Sequence, residues 1–117
     1  MDPAGVVERV RHIEGVCADA AADAVVLESA LVAARELTGW IEARRGVLVT
    51  RLGQRVSFPE ATIAAVDRTS VGSASKARER ARTLEAMPAL ACTLGDGATT
   101  AGHIDVVTRA AAQLPDG

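Results

Sequence analysis

Residues 6–34 read VVERVRHIEGVCADAAADAVVLESALVAA, and their spacing decides the fold. Val6, Val10, Ile13, Cys17, Ala20, Ala24, Leu27, Leu31 and Ala34 recur at intervals of three and four. That period lines one side of an α-helix, so the stripe is expected to face a core. Asp2 followed by Pro3 supplies a start, a capping residue and then proline at the first helical position. The stripe shifts phase near Ala34 and resumes as Leu37, Ile41, Leu48 and Leu52. No Gly or Pro interrupts residues 20–23, so the pattern allows one long bent helix or two helices meeting near Ala20–Asp23.

Gly39, Gly46 and Gly53 stand seven residues apart and fall on one helix face. Each costs about 1 kcal/mol against alanine in a helix interior. Either they are drift in an Ala- and Gly-rich chain, or they form a smooth groove that another helix approaches closely.

Shorter helices follow. Ser57 with Glu60 three positions on reads as a capping box, and Pro59 suits a first turn, so a helix is expected over Phe58–Arg68. Thr69–Gly72 reads as a turn, and Ser73 is expected to cap a helix with Ala74, Ala77, Ala81 and Leu84 inward. Pro88 ends that helix or starts the next, and Ala89–Leu94 is a short apolar helix stopped by Gly95 and Gly97. Thr100 caps a last helix with Ile104, Val107, Ala111 and Leu114 inward. No strand-like alternation of useful length occurs. The expected fold is all-α: a long amphipathic segment over 1–55, packed with short helices over 56–117, in one domain.

The chain has 117 residues, of which 49% are apolar but only 2% aromatic. A core of Ala and Val buries little area per residue, so the helices must pack closely and the stability is expected to be marginal. Cys17 and Cys92 lie in Ala-rich helical patterns and suggest no disulfide framework. The first residues show no basic stretch leading into an apolar run, and no run is long enough to span a membrane. A cytoplasmic location without membrane contact is expected.

Little catalytic chemistry is on offer. Cys92 sits in ALACTL, where a cysteine behaves as a small hydrophobe, so a Cys92–His103 pair is a poor nucleophile and base. His12 and Glu14 point to different helix faces, as do His103 and Asp105, so neither pair starts a metal site. His103, three residues after Thr100, reads as part of a helix-stop, helix-start device. No catalytic residue, metal or cofactor is expected.

Charge is the stronger lead. Between Arg44 and Arg82 there are nine basic and three acidic residues, a net of +6, while the remainder nets −8. The segment PEATIAAVDRTSVGSASKARERARTL, residues 59–84, reads helix, short turn, basic helix. That is the outline of a helix-turn-helix over 58–86, with Lys76, Arg78, Arg80 and Arg82 on the outer arc of its second helix. Arg44, Arg45, Arg51 and Arg55 extend the patch if they fold onto the same side. The bland alternative is a solvated arginine-rich face.

From Phe58 onward the chain resembles an actinobacterial family, the domain of unknown function 222 (13E12 repeat) family. The resemblance rests on the turn Thr69–Gly72, Ala77-Arg78, Leu84 to Pro88, the stop Leu94–Gly97 and the restart Thr100–Ile104. It covers about half of the chain. Ser70 and Gly72 stand where the pattern prefers Gly and Ser, respectively. In that family the helical region precedes an HNH endonuclease module. The chain contains no Asn, so no HNH catalytic residue is carried over. The resemblance implies a non-catalytic helical module that positions an HNH endonuclease-type protein on DNA. Its expected partners are DNA, a second copy or a C-terminal nuclease module. The alternative is a dimerisation or docking module without DNA contact.

Overall fold

The computed structural model describes residues 1–113 and is all-helical over them. Helix α1 spans Pro3–Ala18 and begins as expected, with the Asp2 carboxylate accepting from the Gly5 amide at 2.8 Å. Helix α2 is a single 30-residue element, Ala24–Gly53. Of the two readings left open, two helices is the observed one, and the break needs neither Gly nor Pro. Asp19 folds back to accept from the Ala21 amide at 3.0 Å, and Asp23 caps α2 by accepting from Val26 at 3.0 Å. A short carboxylate that bonds nearby amides competes with helix continuation, and two of them four residues apart make a turn.

Helix α1 folds back along α2 as an antiparallel hairpin. Arg9 reaches Glu36 at 3.0 Å, and His12 Nε2 meets Ser29 Oγ at 3.0 Å. Val16, Ala30 and Ala33 are buried between the two helices.

Four further helices follow, α3 (Pro59–Asp67), α4 (Val71–Ala86), α5 (Pro88–Gly95) and α6 (Ala101–Ala112); the first three pack on the other half of α2, and α6 lies against α4. Helix α4 lies between α2, α3 and α6, and α5 also packs on α2. Leu84, Leu94 and Ile104 form the central core with Ala43, Leu90 and Ala91 against them. Two of the seven-spaced glycines serve close approach, whereas a Cβ at Gly53 would meet only the Arg78 guanidinium at 3.4 Å. A Cβ at Gly39 would lie 2.5 Å from the Leu94 carbonyl oxygen, and one at Gly46 would lie 3.1 Å from Leu84 Cδ1.

The restart after α5 is as expected, and the stop falls at Gly97, with Gly95 the last residue of the helix. Gly97 adopts φ +78°, its amide bonds Leu94 O at 3.0 Å, and the Ala98 amide bonds Thr93 O at 3.0 Å. That is a Schellman termination, which needs a residue tolerant of the left-handed region. Thr100 then caps α6 by accepting from the His103 amide at 3.3 Å.

Several expectations are corrected. Ser57 does not cap α3. Pro59 occupies the first helical position, so the cap falls on Phe58, which offers no side-chain acceptor. Ser70, not Ser73, caps α4, and Gly72 is therefore inside the helix. Ala111 is exposed, because α6 leans on α4 through Ile104 and Thr108; Leu114 lies outside the described residues. The largest correction concerns the long stripe. Leu27, Leu31, Ile41 and Leu48 are 48%, 70%, 46% and 64% exposed. The buried side of α2 is built from Ala30, Ala33 and Gly39 instead.

Candidate functional site

Two surfaces carry candidate residues, one basic and one apolar. The basic one was expected on α4 and the second half of α2. The structure divides its eight cations into tied and untied groups.

Three are tied. Arg80 turns inward, against expectation, because α6 packs beside α4 and presents Asp105. Its side chain is 23% exposed and binds Asp105 through two bonds of 2.7 Å, and Glu42 at 3.0 Å. The hydrogen bond to Asp105 leads in raising its pKa above the ordinary arginine value. Arg45 joins the same chain of charges, forking onto Asp67 while lying 3.9 Å from Glu42. The Arg45 hydrogen bond holds the Asp67 carboxyl below its usual range. Arg78 bonds Glu60, which is lowered in the same way. Asp105, Arg80, Glu42, Arg45 and Asp67 thus link α6, α4, α2 and α3 by charge-assisted bonds, which are stronger than neutral ones. These arginines hold the short helices to α2.

The others are untied but not together. Among the described residues, Arg44, Arg51, Arg55, Lys76 and Arg82 make no ion pair. Arg44 lies over the Trp40 ring, 5.9 Å from its centroid. Lys76 sits with Glu79, Asp105 and Arg109. Arg51 and Arg82 border adjoining parts of the α2–α4 groove, with Gln54 and Glu85 in both. Arg55 follows just beyond the end of α2. The helix-turn-helix outline is present as α3 and α4, joined through residues 68–70, but half of its four outer-arc cations are engaged internally. His103 is an exposed residue in the first turn of α6, and no other candidate residue converges on it.

The apolar surface consists of residues whose periodicity assigns them to the core. At 100° per residue, Val6, Val10, Ile13 and Cys17 form one line on α1. Leu27, Leu31, Ala34, Ile41 and Leu48 form another on α2. Both lines lie on the same rotational side of the contact between the helices. In an antiparallel pair such lines fall on one face of the hairpin. The Arg9–Glu36 and His12–Ser29 contacts occupy the opposite flank, consistent with this placement. Beyond Leu48 the face runs into a groove of about 200 Å³ between α2 and α3, lined by Leu48, Leu52, Ile63 and Val66.

One signal in the sequence pointed there. The phase shift near Ala34 arises from taking Leu37 as the next position; with Thr38 and Arg45 in its place, the four–three spacing runs unbroken from Leu27 to Leu52. Such a strict repeat is the narrower seam of a coiled coil rather than the broad face of a core helix. The second signal is the small-residue line Gly39, Ala43 and Gly46 on the other side.

No helix among the described residues is long and apolar enough to cross a membrane. Comparison with known protein families, with curated proteins and with solved structures finds no match. The likeness to the helical part of HNH endonuclease-type proteins therefore rests on its motifs alone.

Proposed function

We propose that the chain is a non-catalytic helical interaction module, whose working surface is the apolar face of the α1–α2 hairpin. One observation carries this reading: large aliphatic side chains on a heptad-spaced line stand in solvent while alanine and glycine fill the inward side. A contiguous exposed apolar patch on a folded protein marks a binding surface. In an HNH endonuclease-type protein, as the resemblance implies, such a module would hold chains or domains together while other parts do chemistry.

The test is local. An apolar fluorescent dye should bind the folded chain, and L31K combined with I41K should abolish that binding without loss of helicity. Equal dye binding by the variant would remove the hairpin face as the adhesive surface.

A second reading keeps the DNA association, favoured by the untied Arg51, Arg55 and Arg82 around one end of α2. These would make sequence-independent phosphate contacts, each contributing a slope of about −0.9 in log affinity against log salt. Anisotropy of labelled duplex DNA at two salt concentrations decides it. R51A, R55A and R82A together should flatten the salt dependence, and an unchanged affinity would end this reading.

A further inference from the structure

We infer that the occupant of the hairpin face is a second copy of this chain, the two hairpins meeting face to face as a four-helix bundle. This rests on the interaction reading and names its partner.

The chain exposes 7794 Å², whereas a compact monomer of 12.1 kDa exposes roughly 6000 Å². Its radius of gyration of 16.6 Å exceeds the ~13 Å of a compact domain of this length. The excess, roughly 1800 Å² per chain, is about twice the ~800 Å² that each partner of a standard dimer loses to its interface. Val10, Leu27, Leu31 and Ile41, which are 46–70% exposed, present roughly 400 Å² per chain, about half of the ~800 Å² each partner contributes.

The pattern selects what covers that area. A single guest helix would fill one groove. Here each helix of the hairpin carries its own four–three line, and both lines share a face. A complementary surface must offer two antiparallel helices with the same spacing, which an identical hairpin does. Two-fold pairing is self-complementary, because each chain gives and receives the same patch. Two hairpins packed this way enclose a core of knobs and holes like that of other four-helix bundles. Thr38 and Arg45 interrupt the aliphatic line on α2. Arg45 is already bound to Asp67, so the seam ends near it and the contact lies between the start of α2 and Ile41.

Sedimentation velocity from micromolar to hundreds of micromolar chain tests the inference. The mass should rise from one chain to two and stop there, and L31K with I41K should remain a single chain throughout. Leu31 is 70% exposed in one chain, so the substitutions leave the fold intact, as circular dichroism would verify. Alkylation supplies an internal control. Both cysteines are exposed in the single chain, but Cys17 lies on the hairpin face and Cys92 on α5. Dimer formation should slow Cys17 alone. A single-chain mass at every concentration overturns the inference. So does a dimer that survives the substitutions or leaves Cys17 as reactive as before. If the dye binds the hairpin face while the mass stays that of one chain, the second copy is excluded and the interaction reading stands.

Discussion

Replacing Gly39 with alanine inserts a single methyl group at the tightest place in the molecule. The new Cβ would stand 2.5 Å from the Leu94 carbonyl oxygen and 3.2 Å from Gly97 Cα. Ordinary contact begins near 3.4 Å, so the two backbones must part by about 0.9 Å. Neither obstructing atom is the loose end of a side chain. Leu94 is fully buried, and its carbonyl is held in the Schellman turn by the Gly97 amide. Overpacking of this kind costs about 1–3 kcal/mol, and a purely backbone obstacle belongs at the upper end. The gain in helix propensity offsets about 1 kcal/mol. The net expectation is a loss of about 1–2 kcal/mol, read as a fall in Tm of roughly 4–8 °C. Gly46→Ala is the control. Its Cβ would lie 3.1 Å from Leu84 Cδ1, the end of a side chain that can yield, and 3.9 Å from Ala81 Cα. Here most of the propensity gain survives, for a variant between neutral and about 1 kcal/mol more stable. Urea unfolding followed by far-UV circular dichroism measures both. A G39A variant as stable as the parent, or a G46A variant that loses as much as G39A, would refute the close-approach argument.

Acid should loosen the short helices. The carboxyls of Asp67 and Glu60 are held below their ordinary values by bonds from Arg45 and Arg78. A carboxyl with a depressed folded pKa contributes stability that is present above its unfolded pKa and lost as pH falls through the folded one. The urea midpoint should therefore decline below about pH 4–5, with a shallower decline in D67N; an unchanged slope in D67N would deny the pair its role. Arg68 closes α3 at φ 55°, a left-handed conformation that costs an L-residue about 1 kcal/mol or more. Arg68→Gly should raise Tm by a few degrees, and a fall would show that the arginine side chain matters more than its backbone.

The parts of the fold legible in the sequence were those set by local chemistry. Asp2-Pro3, Gly97 and Thr100 act within a few residues of themselves, and each does what its side chain or missing side chain dictates. The break at Asp19–Asp23 is equally local but was obscured, because aspartate ends a helix only when its carboxylate turns back on the chain. The direction of the long stripe was not legible. Periodicity reports that a helix has two faces, and size alone suggested that leucine should be inside. Close packing between helices instead selected Ala30, Ala33, Gly39 and Gly46 for the inner side of α2, and left the leucines out. On α4 the spacing predicts outward-facing cations, and Lys76 and Arg82 are exposed. Arg80 depends on Asp105 and Glu42, which are 25 and 38 residues distant, and no short window of sequence contains them.

Helix α2 is the element against which α1, α3, α4 and α5 all pack, whereas α1 rests chiefly on α2. The two therefore differ in how they open. Amides in the middle of α2, around Gly39 to Gly46, can exchange with solvent only when the whole domain unfolds. Those of α1 need only one helix to lift away, leaving the Leu84, Leu94 and Ile104 core assembled. Half of the apolar face thus belongs to a segment that can detach by itself, and the face exists as a two-helix platform only for the fraction of time that α1 is seated.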